Sequence, residues 1–457
     1  MNKPNSDVWM IKNVSELLSH GQTKVREDAL RITQAGIRGA DPGHGTRKLL
    51  KLEGNRLKIG EHSMDLNQVD HIYVVGSGKG SFPIAEALEE ILGSRISGGV
   101  LVVKKGETRR LQRIEVHEAG HPIPTDESVE GAQKIMDLVE KAGERDLVFA
   151  AVTGGSSALT TLPPAGIRLA EVQELNDILL KSGAVIREMN IVRRHLCRIK
   201  GGGLVAKIQP AQALTLTLDT APEGMPWPDM CLADPATFQE AIAVLKQYKL
   251  WKRVSPSIRA YLEKGTTHPE LETVKSLAGM RASIYSVGDP LGACEAAAEC
   301  ARGLGYQSFI LSTNIEGEAK DLGIFFAGLA KEVVKRNRPF PTPCALISGG
   351  ETTVTIGEEC GAGGPNQELV LGFVKKFHST REVACVSVDT DGTDGPTQIA
   401  GGIADGTSGE WAQKLGFNLD DYIMKHNSSA VLEKMGDTIV TGHTGTNVMN
   451  LRVLLIK

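Results

Sequence analysis

Residues 71–81 read HIYVVGSGKGS, and residues 83–92 continue as PIAEALEEIL. The first stretch is an apolar run that ends in a glycine-rich turn, which is typical of a buried strand and its exit loop. The second stretch has the spacing of an amphipathic helix, with one apolar face made by Ile84, Ala87, Leu88 and Ile91. A strand, a glycine loop and a helix in this order predict an α/β protein.

The same alternation of apolar runs and helical segments continues along the chain. Further strand candidates are GGVLVVKK (98–105), DLVFAAV (146–152), ALTLTLD (213–219), ASIYSVG (282–288), CALISGG (344–350), EVACVSVDTDG (382–392) and LRVLLIK (451–457). Strands that alternate with helices favour mostly parallel sheets covered by helices on both faces. We therefore expect an α/β fold of this layered kind.

The length of the chain bears on its domain organisation. Its 457 residues are roughly two to three times the size of a usual domain. The stretch at residues 249–277 is polar and contains proline and lysine, so it is the best candidate for a connection between domains. We expect one domain at residues 1–278 and a second at residues 279–457.

Composition limits the classes of partner. The formal net charge is −4, so no basic field is expected that would hold a nucleic acid backbone or an anionic membrane. The first residues, MNKPNSDVWMIKN, lack the apolar core of a signal peptide, and no later run approaches the roughly 20 apolar residues that span a bilayer. Seven cysteines are scattered without a CxxC pair or a Cys/His metal spacing. These features favour a cytoplasmic protein with reduced thiols and a small-molecule partner.

The loop GSGKGS at residues 76–81 is a candidate anion site. Gly78 lets the main chain approach an anion, Lys79 adds a positive charge, and Ser81 opens the following helix with a hydroxyl. The loop is not a Walker A sequence, because the earlier glycine is missing and no Ser or Thr directly follows the lysine. An ordinary strand-to-helix turn with a solvated lysine is the alternative.

A second loop of small residues follows the strand candidate at 146–152. It reads TGGSSA, and Gly154, Gly155, Ser156 and Ser157 are candidates to hold a phosphate or a carboxylate. The loop nearly matches the GxSxG nucleophile elbow, but Ala158 replaces the last glycine. A serine hydrolase is therefore the weaker interpretation.

A cationic segment, NIVRRHLCRIKGGGL, covers residues 190–204. Most of its charges are expected on a solvated helix face. Arg193 and Lys200 are the two that we expect to meet an anionic substrate, because guanidinium and ammonium groups bind carboxylate and phosphate.

Acidic side chains follow two later strand candidates. Glu351 lies in the loop SGGETT, where we expect it to contact substrate. Asp389, Asp391 and Asp394 lie in VDTDGTDG at a strand exit, and grouped carboxylates supply the hard oxygen ligands that Mg²⁺ prefers. The spacing is not that of an EF-hand. Because Asp and Gly also form ordinary turns, each aspartate has a structural alternative.

The loop GAGGPNQEL at residues 361–369 places polar side chains directly before an apolar helical run. These side chains are Asn366, Gln367 and Glu368. Asn366 is expected either to cap the helix or to hold a substrate hydroxyl through its amide. The loop TGHTGTN at residues 441–447 adds further hydroxyl groups before the last strand candidate.

Together these stretches resemble the MOFRL-type glycerate 2-kinases, a family whose members are also often named hydroxypyruvate reductases. The matching segments, in the family's order, are VVGSGKGS, GHPIPTDESV, TGGSSAL, VRRHLCRIKGG, GGETTVT, GGPNQEL, DTDGTDGPT and TGHTGTNV. The resemblance implies two Rossmann-like three-layer α/β domains with an active site in the cleft between them. It also implies ATP, a divalent cation such as Mg²⁺, and phosphorylation of a hydroxyl of D-glycerate or a related small hydroxy acid.

The resemblance also implies roles for particular residues. Lys79 matches the family's glycine-loop lysine and Asp219 matches a strand-end aspartate, so both are expected to be catalytic together with Arg193. The chain departs from the family pattern in the loop at residues 221–235, where family members usually have an SGPT-type sequence. It also has Pro365 where many members have arginine, and Cys197 where serine is common. These departures put the substrate in question rather than the fold.

Two other functions stay open from the sequence. An NAD(P)H-dependent hydroxypyruvate reductase is disfavoured, because no GxGxxG is followed after about 20 residues by a ribose-binding acid. A ligand-binding homologue without catalysis would keep the glycine loops and lose the family's usual contacts to substrate. The oligomeric state also stays open, and a homodimer is one arrangement.

Overall fold

The computed structural model describes residues 8–107, 109–219, 227–357 and 360–457. The strands are β1 (Leu50–Glu53), β2 (Arg56–Ile59), β3 (His62–Asp65), β4 (Ile72–Ser77), β5 (Ile96–Lys104), β6 (Glu115–Ala119), β7 (Leu147–Val152), β8 (Gln212–Leu218), β9 (Ala282–Gly288), β10 (Gln307–Ser312), β11 (Gly317–Glu318), β12 (Cys344–Ser348), β13 (Thr352–Thr353), β14 (Val383–Asp389), β15 (Gly401–Asp405), β16 (Thr438–Ile439) and β17 (Asn450–Ile456).

The helices are distributed along the whole chain. They are α1 (Val14–Leu17), α2 (Thr23–Gly39), α3 (Pro42–Leu49), α4 (Ser81–Leu92), α5 (Asp126–Val139), α6 (Ser156–Leu159), α7 (Leu169–Leu180), α8 (Ile186–His195), α9 (Gly203–Ile208), α10 (Phe238–Gln247), α11 (Pro256–Gly265), α12 (Pro290–Gly303), α13 (Ala319–Arg336), α14 (Pro365–Lys376), α15 (Ser408–Lys414), α16 (Leu419–Met424) and α17 (Ser428–Met435). Among the helices of the described residues, none combines the length and the apolar content that crossing a membrane requires.

The chain forms two compact units. The first unit is residues 42–287, and the second is the described part of residues 1–41 together with 288–457. In the second unit, the N-terminal helix α2 packs against α12 and β17. The predicted domain division at residues 278 and 279, and the predicted cleft, stay predictions.

The first unit contains the sheet that the opening motif predicts. Its strand order is β6-β5-β4-β7-β8-β9, and the four pairings from β6 to β8 are parallel. Ser77 at the end of β4 lies opposite Val102 of β5 and Val152 of β7. The carboxyl ends of these strands therefore fall on one edge of the sheet, where ligands collect in open α/β sheets.

Helices cover both faces of this sheet. Successive strand residues point to opposite faces, and Val75 belongs to the core that includes α5 and α9, whereas Val74 belongs to the core that includes α4. A third core joins α7, α8, α10 and α11, and β1, β2 and β3 form a small antiparallel sheet. The three-layer prediction is confirmed for this unit.

The second unit is layered in the same way but differs in strand direction. Its main sheet has the order β10-β12-β17-β14-β15-β16. Val386 of β14 packs with α2 and α12, and its neighbour Cys385 packs with α13 and α14. Within the described residues, the β10–β12 pairing is parallel and the other four pairings are antiparallel.

The α/β class is thus confirmed, but the mostly parallel arrangement predicted for both sheets holds for the first one only. In the second unit, β14 returns through residues 390–400 into the neighbouring β15, and the last strand inserts between β12 and β14 in the opposite direction. An apolar run shows that a strand is buried on both faces, but it does not show the direction in which the strand runs.

A buried ion cluster fixes α2 to the rest of the second unit. Arg26 of α2 is fully buried, and its guanidinium pairs with Asp405 at 3.0 Å and with Asp437, both of which are also fully buried at their side chains. The charge of Arg26 holds the pKa of Asp405 below its usual value despite burial. One cation therefore compensates two buried carboxylates.

Replacing Arg26 with Met is expected to lower the free energy of unfolding by about 3–5 kcal/mol, because the substitution leaves two carboxylates buried without their cation. Urea unfolding measures this change. The control is Arg336→Met, whose guanidinium is half-exposed and pairs with Glu332 within α13; it is expected to cost less than about 1 kcal/mol. Equal effects of the two substitutions would contradict the assignment.

Candidate active site

The loop after β4 and the loop after β7 are joined by main-chain hydrogen bonds. Thr153 N–H donates to Ser77 O at 2.9 Å, and Lys79 N–H donates to Gly154 O at 2.8 Å. Gly80 N–H donates to Thr153 Oγ1 at 2.9 Å. The two glycine-rich segments that the sequence singled out therefore form one structure at the carboxyl edge of the first sheet.

Two glycines make this close approach possible. At Gly78, with φ +129°, a Cβ atom would lie 2.3 Å from Thr153 Oγ1 and 2.4 Å from Thr153 O. At Gly155, with φ +90°, a Cβ atom would lie 3.2 Å from His121 Nε2 and 3.3 Å from Lys79 Cγ. At Gly78 a side chain is excluded by its contact with Thr153. At Gly155 a side chain is disfavoured by the left-handed backbone conformation. The lysine stem and an imidazole thus lie against the same glycine.

The three predicted serines of these loops have different surroundings. Ser81 is buried, and its hydroxyl donates to Gly78 O at 2.8 Å, which closes its own loop. Ser156 is also buried, but no hydrogen-bond partner is found for its hydroxyl among the described residues. Ser157 is half-buried in the first turn of α6. Their roles in phosphate binding stay predictions.

The remaining predicted residues of the first unit lie on separate elements. Arg193 is half-buried on α8, its Nε donates to Asn176 Oδ1 at 2.9 Å, and burial lowers the pKa of its guanidinium. Lys200 is buried in the turn between α8 and α9, and Asp219 is exposed directly after β8. The catalytic and substrate-binding roles of these three residues stay predictions.

In the second unit, a buried arginine organises the ends of the central strands. Arg452 of β17 is fully buried, and it donates to Gly349 O at 3.0 Å and to Asn450 Oδ1 at 2.7 Å. Asn450 Nδ2 in turn lies 3.3 Å from Glu351 Oε2. Burial lowers the pKa of Arg452 to about 10, while the charges of Glu351 and Asp389 act in the opposite direction. Glu351 and Asp389 therefore share one region with a buried cation.

The aspartate predicted as a third metal ligand instead anchors a helix. Asp394 Oδ1 accepts hydrogen bonds from Asn366 N at 3.1 Å and Asn366 Nδ2 at 3.0 Å. Its Oδ2 accepts hydrogen bonds from Gln367 N at 2.9 Å and Gln367 Nε2 at 3.0 Å. The carboxylate thus caps the N-terminus of α14 from another loop, where orphan N–H groups need acceptors. Burial raises its pKa, and the four hydrogen bonds oppose that shift.

The amides and the acid predicted to contact substrate are all buried. Ser387 Oγ donates to Asn366 Oδ1, and Ser429 Oγ donates to Gln367 Oε1, both at 2.6 Å. Glu368 Oε2 lies 3.0 Å from His426 Nδ1, and burial raises the pKa of its carboxyl. Asn366 therefore does not cap the helix, because the N-cap of α14 is Gly364 and the Asn366 side chain is hydrogen-bonded inside the protein to Asp394 and Ser387. Its contact with substrate stays a prediction.

The other two predicted metal ligands are neighbours in a turn. Asp391 N–H donates to Asp389 Oδ1 at 3.0 Å, and Thr393 donates through N–H and hydroxyl to Asp391 Oδ1 at 2.8 and 2.7 Å. Over the residues that the structure describes, no group of three or more His, Cys, Asp or Glu side chains is arranged to hold a metal ion. Metal binding here stays a prediction.

Known proteins share both the sequence and the fold of this chain. The profile of the MOFRL family matches residues 344–450, and that of a domain of unknown function, DUF4147, matches residues 28–263. A relative named glycerate 2-kinase from Pyrococcus horikoshii is 37% identical over 94% of this chain and 97% of its own. The chain belongs to the MOFRL-type glycerate 2-kinase family.

A solved structure extends the likeness to three dimensions. The glycerate kinase of Thermotoga maritima matches with a TM-score of 0.81 and 32% sequence identity, covering 94% of this chain and 99% of that one. A relative from Agrobacterium vitis, 35% identical over 84% of this chain and 86% of its own, has the provisional name hydroxypyruvate reductase. The family assignment from the sequence motifs is confirmed.

The loop that departs from the family pattern returns to the end of β8. Residues 220–226, which include the first part of the departing loop, lie outside the described residues. Trp227 Nε1 donates to Leu218 O at 3.0 Å and to Thr217 Oγ1 at 3.1 Å. The indole of this family member therefore lies at the strand exit that Asp219 follows.

Sequence reasoning missed Asp229, Arg452 and His121. Asp229 is 8% exposed, and no hydrogen-bond partner is found for its Oδ1 within the described residues. Burial raises the pKa of its carboxyl above the usual 3.8, and the charges of Lys200 and Arg194 oppose that shift. Arg452 had a usable signal, because it is a charged residue inside an apolar run. His121 had a partial signal, because it lies in the segment GHPIPTDESV that matches the family. Asp229 had none, because its burial depends on contacts that a local pattern does not show.

Replacing Asp394 with Ala is expected to lower the free energy of unfolding by about 3 kcal/mol, because four donors lose a charged acceptor in a buried place. Asp394→Asn keeps one carbonyl acceptor and is expected to fall between this variant and wild type. The control is Asp420→Ala, an exposed acid in the first turn of α16, expected within about 1 kcal/mol of wild type. A cost for Asp394→Ala as small as that of the control would refute the capping role.

Asp229 is expected to make stability depend on pH. Because folding raises its pKa, the folded state binds the proton more tightly, so this group's stabilising contribution is full below pH about 4 and is lost as the pH rises. The stability of wild type relative to Asp229→Asn is therefore expected to fall as the pH rises above about 4. Urea unfolding at a series of pH values measures this difference. A relative stability that rises over this range would contradict the direction of the shift.

Proposed function

We propose that this protein is an ATP-dependent kinase that phosphorylates a hydroxyl of D-glycerate or a related small hydroxy acid. The observation that carries the proposal is the identity of 37% over almost the whole chain to a relative named glycerate 2-kinase. The joined glycine loops with Lys79 against Gly155 are the structural feature that fits this activity.

Phosphoryl transfer needs positioned groups and positive charge around the moving phosphoryl group. In our proposal, the acceptor hydroxyl oxygen bonds to the γ-phosphorus of ATP while the bond from that phosphorus to the β,γ-bridging oxygen breaks. ADP leaves, and the hydroxyl proton leaves to a carboxylate or to water. Lys79 and the main chain of Gly154 and Gly155 hold the phosphate groups, because glycine loops admit an anion close to the backbone.

The acceptor acid needs cations and a group that holds its hydroxyl. Arg193 and Lys200 are proposed to meet the anionic end of the acid, since guanidinium and ammonium groups bind carboxylates. Asp219, exposed at the exit of β8, is proposed to hold the acceptor hydroxyl.

Glu351 stays a candidate substrate contact. For Asn366, Gln367 and Glu368 we propose a structural role at the start of α14, because their side chains are buried and hydrogen-bonded within the protein.

A divalent cation fits the remaining acidic turn. A bound Mg²⁺ supplies positive charge that offsets the charge of the ATP phosphates. Asp389 and Asp391 are the residues proposed to hold it, because Mg²⁺ is bound through one or two carboxylates together with phosphates and water. Asp394 is less suited, because its two oxygens each accept two hydrogen bonds.

Replacing Lys79 with Ala is expected to lower kcat/KM for ADP formation from ATP and D-glycerate by about 100- to 1,000-fold, because a charge that stabilises the transition state is lost. The melting temperature is expected to stay near that of wild type, since the side chain is half-buried at a loop. The control is Lys105→Ala, an exposed lysine paired with Glu127, which is expected to keep wild-type turnover. Full activity of Lys79→Ala would remove this residue from the mechanism.

The same assays separate the other two functions. Oxidation of NADH or NADPH with hydroxypyruvate, in place of ADP release, would support the reductase. A rise in melting temperature with ATP or hydroxy acids, without any turnover, would support the ligand-binding homologue.

A further inference from the structure

His121 and the predicted catalytic lysine, Lys79, both lie beside Gly155. The Cβ position at Gly155 is 3.2 Å from His121 Nε2 and 3.3 Å from Lys79 Cγ. The two side chains thus approach Gly155, whose left-handed backbone conformation at φ +90° favours glycine over other residues. The imidazole nitrogen is therefore a near neighbour of the lysine stem and of the loop after β7.

The imidazole of His121 comes from a third strand, because it follows the carboxyl end of β6. His121 follows β6 after one glycine, and β6 pairs in parallel with β5, which pairs in parallel with β4. The carboxyl ends of β4, β6 and β7 therefore face the same edge of the sheet. His121 is half-buried at this edge.

An independent feature of the same loop indicates a ligand. Ser156, directly after Gly155, is fully buried, and its hydroxyl has no hydrogen-bond partner among the described residues. A buried polar group without a partner is costly, and an oxygen-rich ligand held on this loop would satisfy it. The imidazole, the lysine and the hydroxyl are the kinds of group that bind phosphate oxygens.

We propose that His121 is a further catalytic residue of the kinase, donating a hydrogen bond from its imidazole Nε2–H to the phosphoryl group whose charge Lys79 offsets. The inference rests on the proposed function. The bonds that form and break are those given above, and His121 transfers no proton; it stabilises the charge on the phosphoryl oxygens as transfer proceeds. Donors placed at developing charge lower the barrier more than they tighten substrate binding.

The test compares three variants of the full chain with wild type. His121→Ala removes the donor, and His121→Gln keeps an amide N–H near the position of Nε2. His62→Ala is the control, because His62 is an exposed histidine of the same unit. For each protein, kcat and KM for ATP and D-glycerate are measured from ADP release, together with the melting temperature with and without ATP.

For His121→Ala, kcat is expected to fall by about 100- to 1,000-fold with KM for ATP changed by less than about 3-fold. His121→Gln is expected to recover at least about 10-fold of that loss, and His62→Ala to match wild type. A kcat of His121→Ala within about 3-fold of wild type would overturn the proposal. Equal losses in the Ala and Gln variants would also overturn it, because they would indicate that ring shape rather than the donor matters.

The binding measurement separates this inference from the proposed function. If wild type releases no ADP with D-glycerate or related acids, the kinase proposal fails, and the catalytic role of His121 fails with it. In that case, the rise in melting temperature that ATP causes shows whether His121 contributes to ATP binding. A smaller rise in His121→Ala than in His62→Ala would retain His121 as a contact of bound ATP. Equal rises would show that His121 makes no measurable contribution to ATP binding, which leaves it without a role once the kinase reaction is excluded.

Discussion

The close contact between two glycine loops is the constraint on which the candidate site depends. Gly78 lies where a Cβ atom would meet Thr153, and the main chain of Lys79 is bonded to Gly154. Because neighbouring parallel strands end on one edge, the two loops can exchange these bonds without any long connection. The consequence is a surface of main-chain groups beside one lysine, which suits an anion more than an apolar ligand.

The second unit uses buried polar groups for a different purpose. Arg452 and Asp394 are enclosed among apolar strands and helices, and each forms several hydrogen bonds. Buried charges persist only when they are paired or hydrogen-bonded in this way. They fix the loops after β12 and β14 and the start of α14, so the amide and acid motifs there have a structural role.

Much of the first unit could be predicted from its sequence, because glycine-rich turns after apolar runs carry a local physical signal. The motifs that carry the family resemblance were spread over nearly the whole chain, so the family could also be predicted. Strand direction in the second sheet, the partner of Asp394 and the burial of Asp229 depend on contacts between distant segments, so the local pattern did not reveal them. His121 belongs to the same group, since its neighbours Gly155 and Lys79 come from other strand ends.

The most direct test of the account follows the γ-phosphate of ATP in a reaction of the wild-type protein with D-glycerate and Mg²⁺, observed by phosphorus NMR. The account predicts one phosphorylated glycerate for each ADP formed, with no excess of inorganic phosphate. Release of inorganic phosphate alone, or no loss of ATP while NADH is oxidised with hydroxypyruvate, would contradict it.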